Sequence, residues 1–190
     1  MISLEPILLD LPERIVGERV YIRPCMPGDG KKVYEAVIRS LDELKLWMPW
    51  AHFEQSVEDA EKLVREAHAK FILREDFRLH YFLKSDDSFI GSGGYPRFNW
   101  STKCFEIGYW IDSKYTGQGY ATETAKLLVD FAFDLLDANR VEIRVDTKNN
   151  ASRKIPEKLG FQLEGILRHI SYAVDGTDLR DCCVYAKLRE

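Results

Sequence analysis

The sequence predicts a mixed α/β fold with about seven strands flanked by four helices, built as one domain over residues 1–190. The length is sufficient for one substantial hydrophobic core. Segments with alternating apolar residues are interspersed with segments of helical periodicity, in the order strand, two helices, three strands, helix, strand, helix, two strands. The strands alternate rather than reading as continuous apolar runs, which argues against a doubly wound parallel sheet.

The first half of the chain is predicted to hold one strand and two helices. Residues 19–23 alternate as a short strand that stops at Pro24. Asp29 is a candidate N-cap for the first helix, and Ser56 with Asp59 three residues later predicts a capping box for the second. The apolar residues at helical spacing are Val33, Ala36, Val37 and Leu41 in the first helix, and Ala60, Leu63, Val64, Ala67 and Phe71 in the second.

The second half begins with strands at residues 79–84 and 89–95, separated by four turn-forming residues. Glycines in the second of these predict a bulge or a close approach of another chain segment. The strand 104–111 and a long helix follow, then a strand at 141–145 and a short helix that ends at Gly160. The face of the long helix predicted to be buried consists of Ala121, Ala125, Leu128, Ala132 and Leu135. Two strands around Asp175 and Gly176 are predicted to close the chain as a hairpin.

A glycine-containing loop separates the strand 104–111 from the long helix. It reads Thr116-Gly117-Gln118-Gly119-Tyr120-Ala121-Thr122. Glycines at this junction let the backbone approach a ligand, and the first N–H groups of the helix have no acceptor within the helix. Because these donors lie at the positive end of the helix dipole, the loop predicts a phosphate-bearing ligand. The alternative is a tight turn without a ligand.

Composition excludes several other classes of protein. The chain carries 27 basic and 31 acidic residues, for a net charge of −4, which argues against a general nucleic-acid binder. It has neither a signal-peptide pattern nor an apolar run approaching the roughly 20 residues that span a bilayer. Its four cysteines and four histidines lack metal-ligand spacing. We therefore expect a cytoplasmic protein with reduced thiols, no metal, no membrane contact and no direct contact with nucleic acid.

Three sequence blocks resemble the GNAT N-acetyltransferase superfamily. The blocks are the strand 106–111, the loop continuing through Glu123, and residues 149–152 followed by 157–161 and 164–165. They are similar in particular to the RimJ/RimL-type branch, which includes ribosomal-protein N-terminal acetyltransferases, and the resemblance covers nearly the whole chain. Thr116 departs from the Gln or Arg that begins the family's Q/R-x-x-G-x-G/A loop. The resemblance implies a mostly antiparallel sheet with splayed central strands.

The resemblance also implies acetyl-CoA as the cosubstrate. Its pantetheine arm would lie between the splayed strands beside Trp110 and Ile111, and main-chain N–H groups near Ile107 and Gly108 would polarise the thioester carbonyl. Asn149 would bind the pantetheine or the substrate backbone, or would cap the following helix. The residues whose N–H groups would hold the pyrophosphate are Gln118, Gly119, Tyr120, Ala121 and Thr122.

The same resemblance suggests two catalytic residues. Glu106 is the candidate base, because many relatives use a glutamate on this strand; the alternative is a solvated edge residue or an ion pair. Ser152 is the candidate acid that protonates the departing thiolate, while its alternative is a hydroxyl that caps the helix start.

The candidate acceptor-binding residues are Trp47, Trp50, Tyr172 and Asp181. The predicted acceptor is a primary amine, first of all the N-terminal α-amine of a protein, since its pKa of about 8, against about 10.4 for lysine, makes deprotonation easier. The alternatives are a small amine (antibiotic, polyamine or amino acid) and a non-catalytic acyl-CoA-binding module. The indoles and the C-terminal hairpin are also consistent with a homodimer contact.

Overall fold

One eight-stranded sheet runs through the protein, whose computed structural model describes residues 5–174, 176 and 178–189. The strand order is β1-β2-β3-β4-β5-β6-β8-β7. The strands are β1 Ile15–Val16, β2 Val20–Pro24, β3 Phe77–Leu83, β4 Phe89–Asn99, β5 Cys104–Ile111, β6 Arg140–Asp146, β7 Gln162–Tyr172 and β8 Leu179–Leu188. The helices are α1 Gly30–Arg39, α2 Leu41–Trp47, α3 Val57–Ile72, α4 Tyr120–Asp134 and α5 Asn150–Lys158.

The predicted fold class is confirmed, with one strand and one helix more than expected. Strand β1 is only two residues long, too short to produce a periodic pattern. The first predicted helix is divided at Ser40, whose hydroxyl accepts the main-chain N–H of Ser113 at 2.8 Å. Leu41 therefore begins α2 instead of extending the apolar face of α1.

Every pair of neighbouring strands is antiparallel except β5 and β6, which pair in parallel over only four residues. Their register ends with Ile107 opposite Ile143. Beyond this point β5 continues to pair with β4 as far as Ile111, and β6 continues to pair with β8 as far as Asp146. The two central strands therefore diverge, as the resemblance implied, and a gap opens between the C-terminal half of β5 and that of β6.

Helix α4 covers one face of the sheet. Ala125, Leu128 and Ala132 are fully buried there, as the helical spacing predicted. The prediction was wrong for the two ends of this face. Ala121 lies in the first turn and is half-buried, and Leu135 is the exposed C-cap residue, where the helix has already left the sheet.

Helix α1 covers the opposite face through Ala36, which packs against Phe82 and Phe89. Asp29 is the N-cap residue of this helix, as predicted, but its side chain makes no capping hydrogen bond. Its carboxylate instead accepts two hydrogen bonds of 2.7 Å from Arg23 and one of 2.8 Å from His80 Nδ1. Burial alone would raise the pKa of Asp29, but the hydrogen bonds from His80 and Arg23 hold it below its usual range.

Other local predictions are confirmed. Ser56 and Asp59 form the reciprocal capping box of α3, with both main-chain N–H contacts at 3.0 Å. Gly160 adopts the left-handed conformation after α5, at φ 75°. Strands β7 and β8 pair as the C-terminal hairpin, although Asp175 of its predicted turn lies outside the described residues.

The glycines of β4 have the predicted packing role. A Cβ atom at Gly93 would lie 2.0 Å from the Tyr81 hydroxyl and 2.3 Å from the Gly108 carbonyl oxygen, so a larger residue does not fit. One extra residue on β4 between Gly94 and Arg97 forms a bulge against β5. The bulge places Arg97 directly opposite Glu106.

The described part of the chain contains no helix that is long and apolar enough to cross a membrane. Within the same residues, no group of three or more histidine, cysteine or acidic side chains is placed to hold a metal ion. The four cysteines, all of them described, form no disulfide.

Candidate active site

The glycine loop presents a row of main-chain N–H groups at the start of α4. Gly117 and Gly119 adopt left-handed conformations, with φ of 75° and 85°. The N–H group of Thr122 donates to the carbonyl of Gly119 at 3.1 Å, so Thr122 already has a partner within the protein. Four predicted donors have no hydrogen-bond acceptor among the described residues: the N–H groups of Gln118, Gly119, Tyr120 and Ala121. These donors and the helix dipole fit an anionic phosphate.

The gap between β5 and β6 begins at Ile107 and opens toward the glycine loop. Successive residues of β5 point to opposite faces of the sheet. Trp110 faces the α1 side, where its ring lies 6.0 Å from that of Trp50 and 5.9 Å from that of Phe89. Tyr109 points to the α4 side and reaches α5. A molecule entering the gap therefore has access to both faces.

Helix α5 brings Ser152 to Tyr109. The two hydroxyl oxygens are 3.1 Å apart, and either group can donate the hydrogen bond. Asn149 caps α5 by accepting the main-chain N–H of Ser152 at 3.0 Å. This hydrogen bond fixes the position of the Ser152 backbone. Burial raises the pKa of Tyr109 to about 12, against the opposing effect of its hydrogen bond with Ser152. The phenol therefore keeps its proton at neutral pH and can donate a hydrogen bond to the Ser152 hydroxyl.

A cleft of about 600 Å³ lies on the α1 side of the sheet. Its floor includes Gly94, Gly108 and Trp110, directly beside the gap. The walls are mainly apolar and come from α1, α3 and the turn between them: Val33, Val37, Met48, Trp50, Ala60, Leu63 and Val64. The volume lies within the range of ordinary ligand sites, so the cleft can receive a small molecule or the end of a peptide.

Polar groups occupy the far part of the cleft. His80 and Ser92 lie in its floor, and the charged lining residues are Lys70, Glu75, Asp76 and Arg78. Burial lowers the pKa of His80, although its hydrogen bond with Asp29 acts in the opposite direction. Since the lining has two basic and two acidic side chains, the cleft has no excess of either charge.

Residues 19–162 match the family model described as an acetyltransferase (GNAT) domain. The chain belongs to the GNAT acetyltransferase family. It is an acetyl-CoA-dependent N-acetyltransferase, and within the family it resembles the ribosomal-protein acetyltransferases. The glycine loop, the gap and Ser152 all lie within the matched region.

Individual relatives agree with this assignment. The chain is 30% identical over 154 residues to the probable N-acetyltransferase YjcK of Bacillus subtilis, covering 80% of this chain and 85% of the relative. It is 25% identical over 173 residues to the ribosomal-protein-serine acetyltransferase of Escherichia coli, covering 91% and 94%. The fold matches that of RimL, a ribosomal L7/L12 alpha-N-protein acetyltransferase in complex with coenzyme A, with a TM-score of 0.83, 21% identity and coverage of 93% and 98%.

The cleft is lined by one of the four predicted acceptor residues. Trp50 lines the cleft, and its ring packs against that of Trp110 in the cleft floor. Trp47 is the last residue of α2 and lies outside the cleft lining. Tyr172 is exposed on β7, and the Asp181 carboxylate accepts the main-chain N–H of His169 at 2.9 Å. Both of these residues belong to the C-terminal hairpin and not to the cleft.

Glu106 lies at the cleft side of β5 but is tied to two arginines. Arg97 donates to one of its carboxylate oxygens at 2.7 Å and also contacts the other. Arg144 Nε lies 3.5 Å away. With both oxygens engaged, this geometry favours the ion-pair alternative, and the role of Glu106 as base remains a prediction.

Two residues important to this site were not among the predicted ones. Tyr109 alternates with the apolar residues Phe105, Ile107 and Ile111 along its strand, and its hydroxyl on that face was a signal for a polar partner. Arg19 was assigned only to the start of the first strand; its side chain donates to the carbonyl of Gln118 at 3.0 Å. No local pattern in the sequence indicates this contact, because the two residues are far apart in the chain.

The two roles of Glu106 can be separated with Glu106→Gln and Arg97→Met, compared by kcat for thiol release with an accepted amine. If the two residues form only an ion pair, we expect the kcat of both variants to stay within about tenfold of the wild-type value, with the same pH profile. A catalytic base would instead give a loss of about 10²- to 10⁴-fold in Glu106→Gln alone, because Arg97→Met keeps the carboxylate.

Proposed function

We propose that this enzyme acetylates the N-terminal α-amine of a protein or peptide. The observation that carries the proposal is the position of the cleft, which opens beside Gly94 and Gly108 where β5 and β6 diverge. The acceptor enters from this face, and acetyl-CoA is held by the loop and the gap. The amine then meets the thioester at the edge of the sheet.

The charge of the cleft favours an α-amine on a peptide over a polyamine. A polyamine carries several positive charges and requires an acidic groove, whereas this lining has two basic and two acidic residues. The apolar walls suit the first side chain of a peptide. An α-amine is also easier to deprotonate than a lysine, by about 3 kcal/mol at the reference pKa values, which reduces the demand on a base.

The names of two relatives agree with this substrate class. The Escherichia coli relative is called a ribosomal-protein-serine acetyltransferase, and RimL is called an alpha-N-protein acetyltransferase. These names describe those proteins. For this chain they support a protein N-terminus as the first acceptor to test.

The residues at the gap supply a route for one proton. When bound, acetyl-CoA provides the activated acyl group; the amine nitrogen bonds to the acyl carbon as the carbon–sulfur bond breaks. In our proposal Ser152 Oγ donates a proton to the departing thiolate, the Tyr109 hydroxyl, 3.1 Å away, replaces it, and solvent returns a proton to the Tyr109 oxygen. The amine releases its own proton to solvent or to a base. The high pKa of Tyr109 keeps this donor protonated at neutral pH.

A panel of matched acceptors tests the proposed function. We expect thiol release from acetyl-CoA with peptides that have a free α-amine. The same peptides with an acetylated N-terminus and an internal lysine should give none, and neither should spermidine. Release with spermidine or with the blocked lysine peptide would move the assignment to small or side-chain amines. Acetyl-CoA binding without release by any acceptor would favour the non-catalytic module.

The proton route predicts different losses in two variants. Ser152→Ala should lower kcat by about 10²-fold or more, and Tyr109→Phe by about tenfold, since water can partly replace the second donor. Neither change should raise the KM for acetyl-CoA. Tyr185→Phe is the matched control, because its hydroxyl also bonds to α5, at Glu157 (2.9 Å), but away from the gap. Wild-type kcat in Ser152→Ala would refute the acid role.

A further inference from the structure

Arg19 connects the start of β2 to the glycine loop. Its Nη1 donates to the carbonyl of Gln118 at 3.0 Å. Its guanidinium carbon lies 4.5 Å from the centre of the Tyr120 ring, in a cation–π arrangement. Its Nη2 lies 3.4 Å from the position that a Cβ of Gly119 would occupy. One side chain from another part of the sheet thus contacts three consecutive residues of the loop.

The loop itself provides little side-chain support at this point. Thr116 stands where the family pattern has Gln or Arg, and its hydroxyl donates back to the carbonyl of Ser113 at 2.9 Å. The side-chain amide of Gln118 donates to the carbonyl of Lys114 at 3.3 Å, also on the preceding side. Neither of these side chains reaches the sheet. The contact between the loop and the start of β2 is made by Arg19.

Arg19 also forms an ion pair with an acidic residue, Glu123, that lies close to the proposed anion site. Glu123 lies in the first turn of α4, next to the free N–H groups. Its carboxylate accepts Arg19 Nε at 2.8 Å, and the main-chain N–H groups of Arg19 at 2.7 Å and Val20 at 3.2 Å. Burial would raise the pKa of Glu123, but these hydrogen bonds lower it, so the carboxylate is ionised. Among the described residues, Arg19 is the cationic side chain that pairs with this carboxylate.

We propose that Arg19 is a positioning residue for the pyrophosphate of acetyl-CoA, holding Gln118, Gly119 and Tyr120 in place and neutralising the Glu123 carboxylate beside them. The proposal rests on the assignment of the glycine loop as the phosphate site, and not on the identity of the acceptor. Without Arg19, the loop loses its tie to β2. An uncompensated negative charge then lies one turn from the bound phosphates, where it opposes their binding.

Calorimetric titration with coenzyme A tests this role without an acceptor. Arg19→Met should weaken the Kd about 10- to 100-fold, because it removes charged hydrogen bonds and exposes a like charge. Arg19→Met/Glu123→Gln should recover the part of that loss that is due to the uncompensated charge and so bind more tightly than Arg19→Met, since the introduced amide is neutral and its oxygen still accepts the two main-chain N–H groups. Arg14→Met should leave the Kd within about twofold of wild type, because Arg14 lies over the Tyr21 ring, 5.6 Å from its centre, and away from the loop.

The double variant separates charge compensation from a merely structural effect. If Arg19 only supported the fold, removing a second member of the pair would not restore affinity. A wild-type Kd in Arg19→Met, or equal weakness in the single and double variants, would overturn the proposal. Absence of coenzyme A binding in the wild-type protein would overturn the loop assignment on which it rests. Because the titration contains no amine, its result does not bear on the proposed N-terminal acceptor, which the acceptor panel tests separately.

Discussion

The divergence of β5 and β6 is the constraint on which the rest of the site depends. The two strands are held together for four residue pairs and then follow different neighbours, β4 and β8. In the interior of a sheet, unpaired backbone groups are costly unless another partner satisfies them. In our proposal, the pantetheine arm of acetyl-CoA completes the backbone hydrogen bonding in this gap. The gap also joins the two faces of the sheet, so that acyl donor and amine can approach from opposite sides.

Each functional element is placed relative to this gap by packing or hydrogen bonding. The Asn149 cap sets the start of α5 and brings Ser152 to Tyr109. The bulge in β4 brings Arg97 opposite Glu106, whose carboxylate it engages in an ion pair. On the other face of the sheet, α1 and α3 leave a space between themselves and the strands, and this space is the cleft. The same backbone path thus separates the proposed phosphate, thioester and acceptor sites.

The features predicted from the sequence are those with local causes. The capping box at Ser56, the left-handed Gly160 and the loop glycines each depend on residues within a few positions, so a pattern can indicate them. The contact of Asp29 with His80 could not be predicted in this way, since His80 is 51 positions away and reaches Asp29 only through the sheet. The ion pair of Glu106 could not be predicted either, because the bulge that places Arg97 opposite Glu106 lies on the neighbouring strand β4.

The site follows the same division. The loop and Ser152 were identified because family-like blocks surround them, whereas Tyr109 and Arg19 act through contacts between distant elements. The acceptor residues were the least predictable, because a cleft is formed by the spacing of whole helices. Trp50 reaches it and Trp47 does not, although both lie in the same short segment.

The most direct test is a crystal structure with a conjugate in which an acetyl linker joins the sulfur of coenzyme A to the α-amine of a short peptide. The pantetheine arm is expected to pass between β5 and β6, with its sulfur beside the hydroxyls of Ser152 and Tyr109. The peptide should leave through the cleft past Gly94 and Trp50. A pantetheine arm outside the gap, or a peptide leaving on the α4 side of the sheet, would contradict this arrangement.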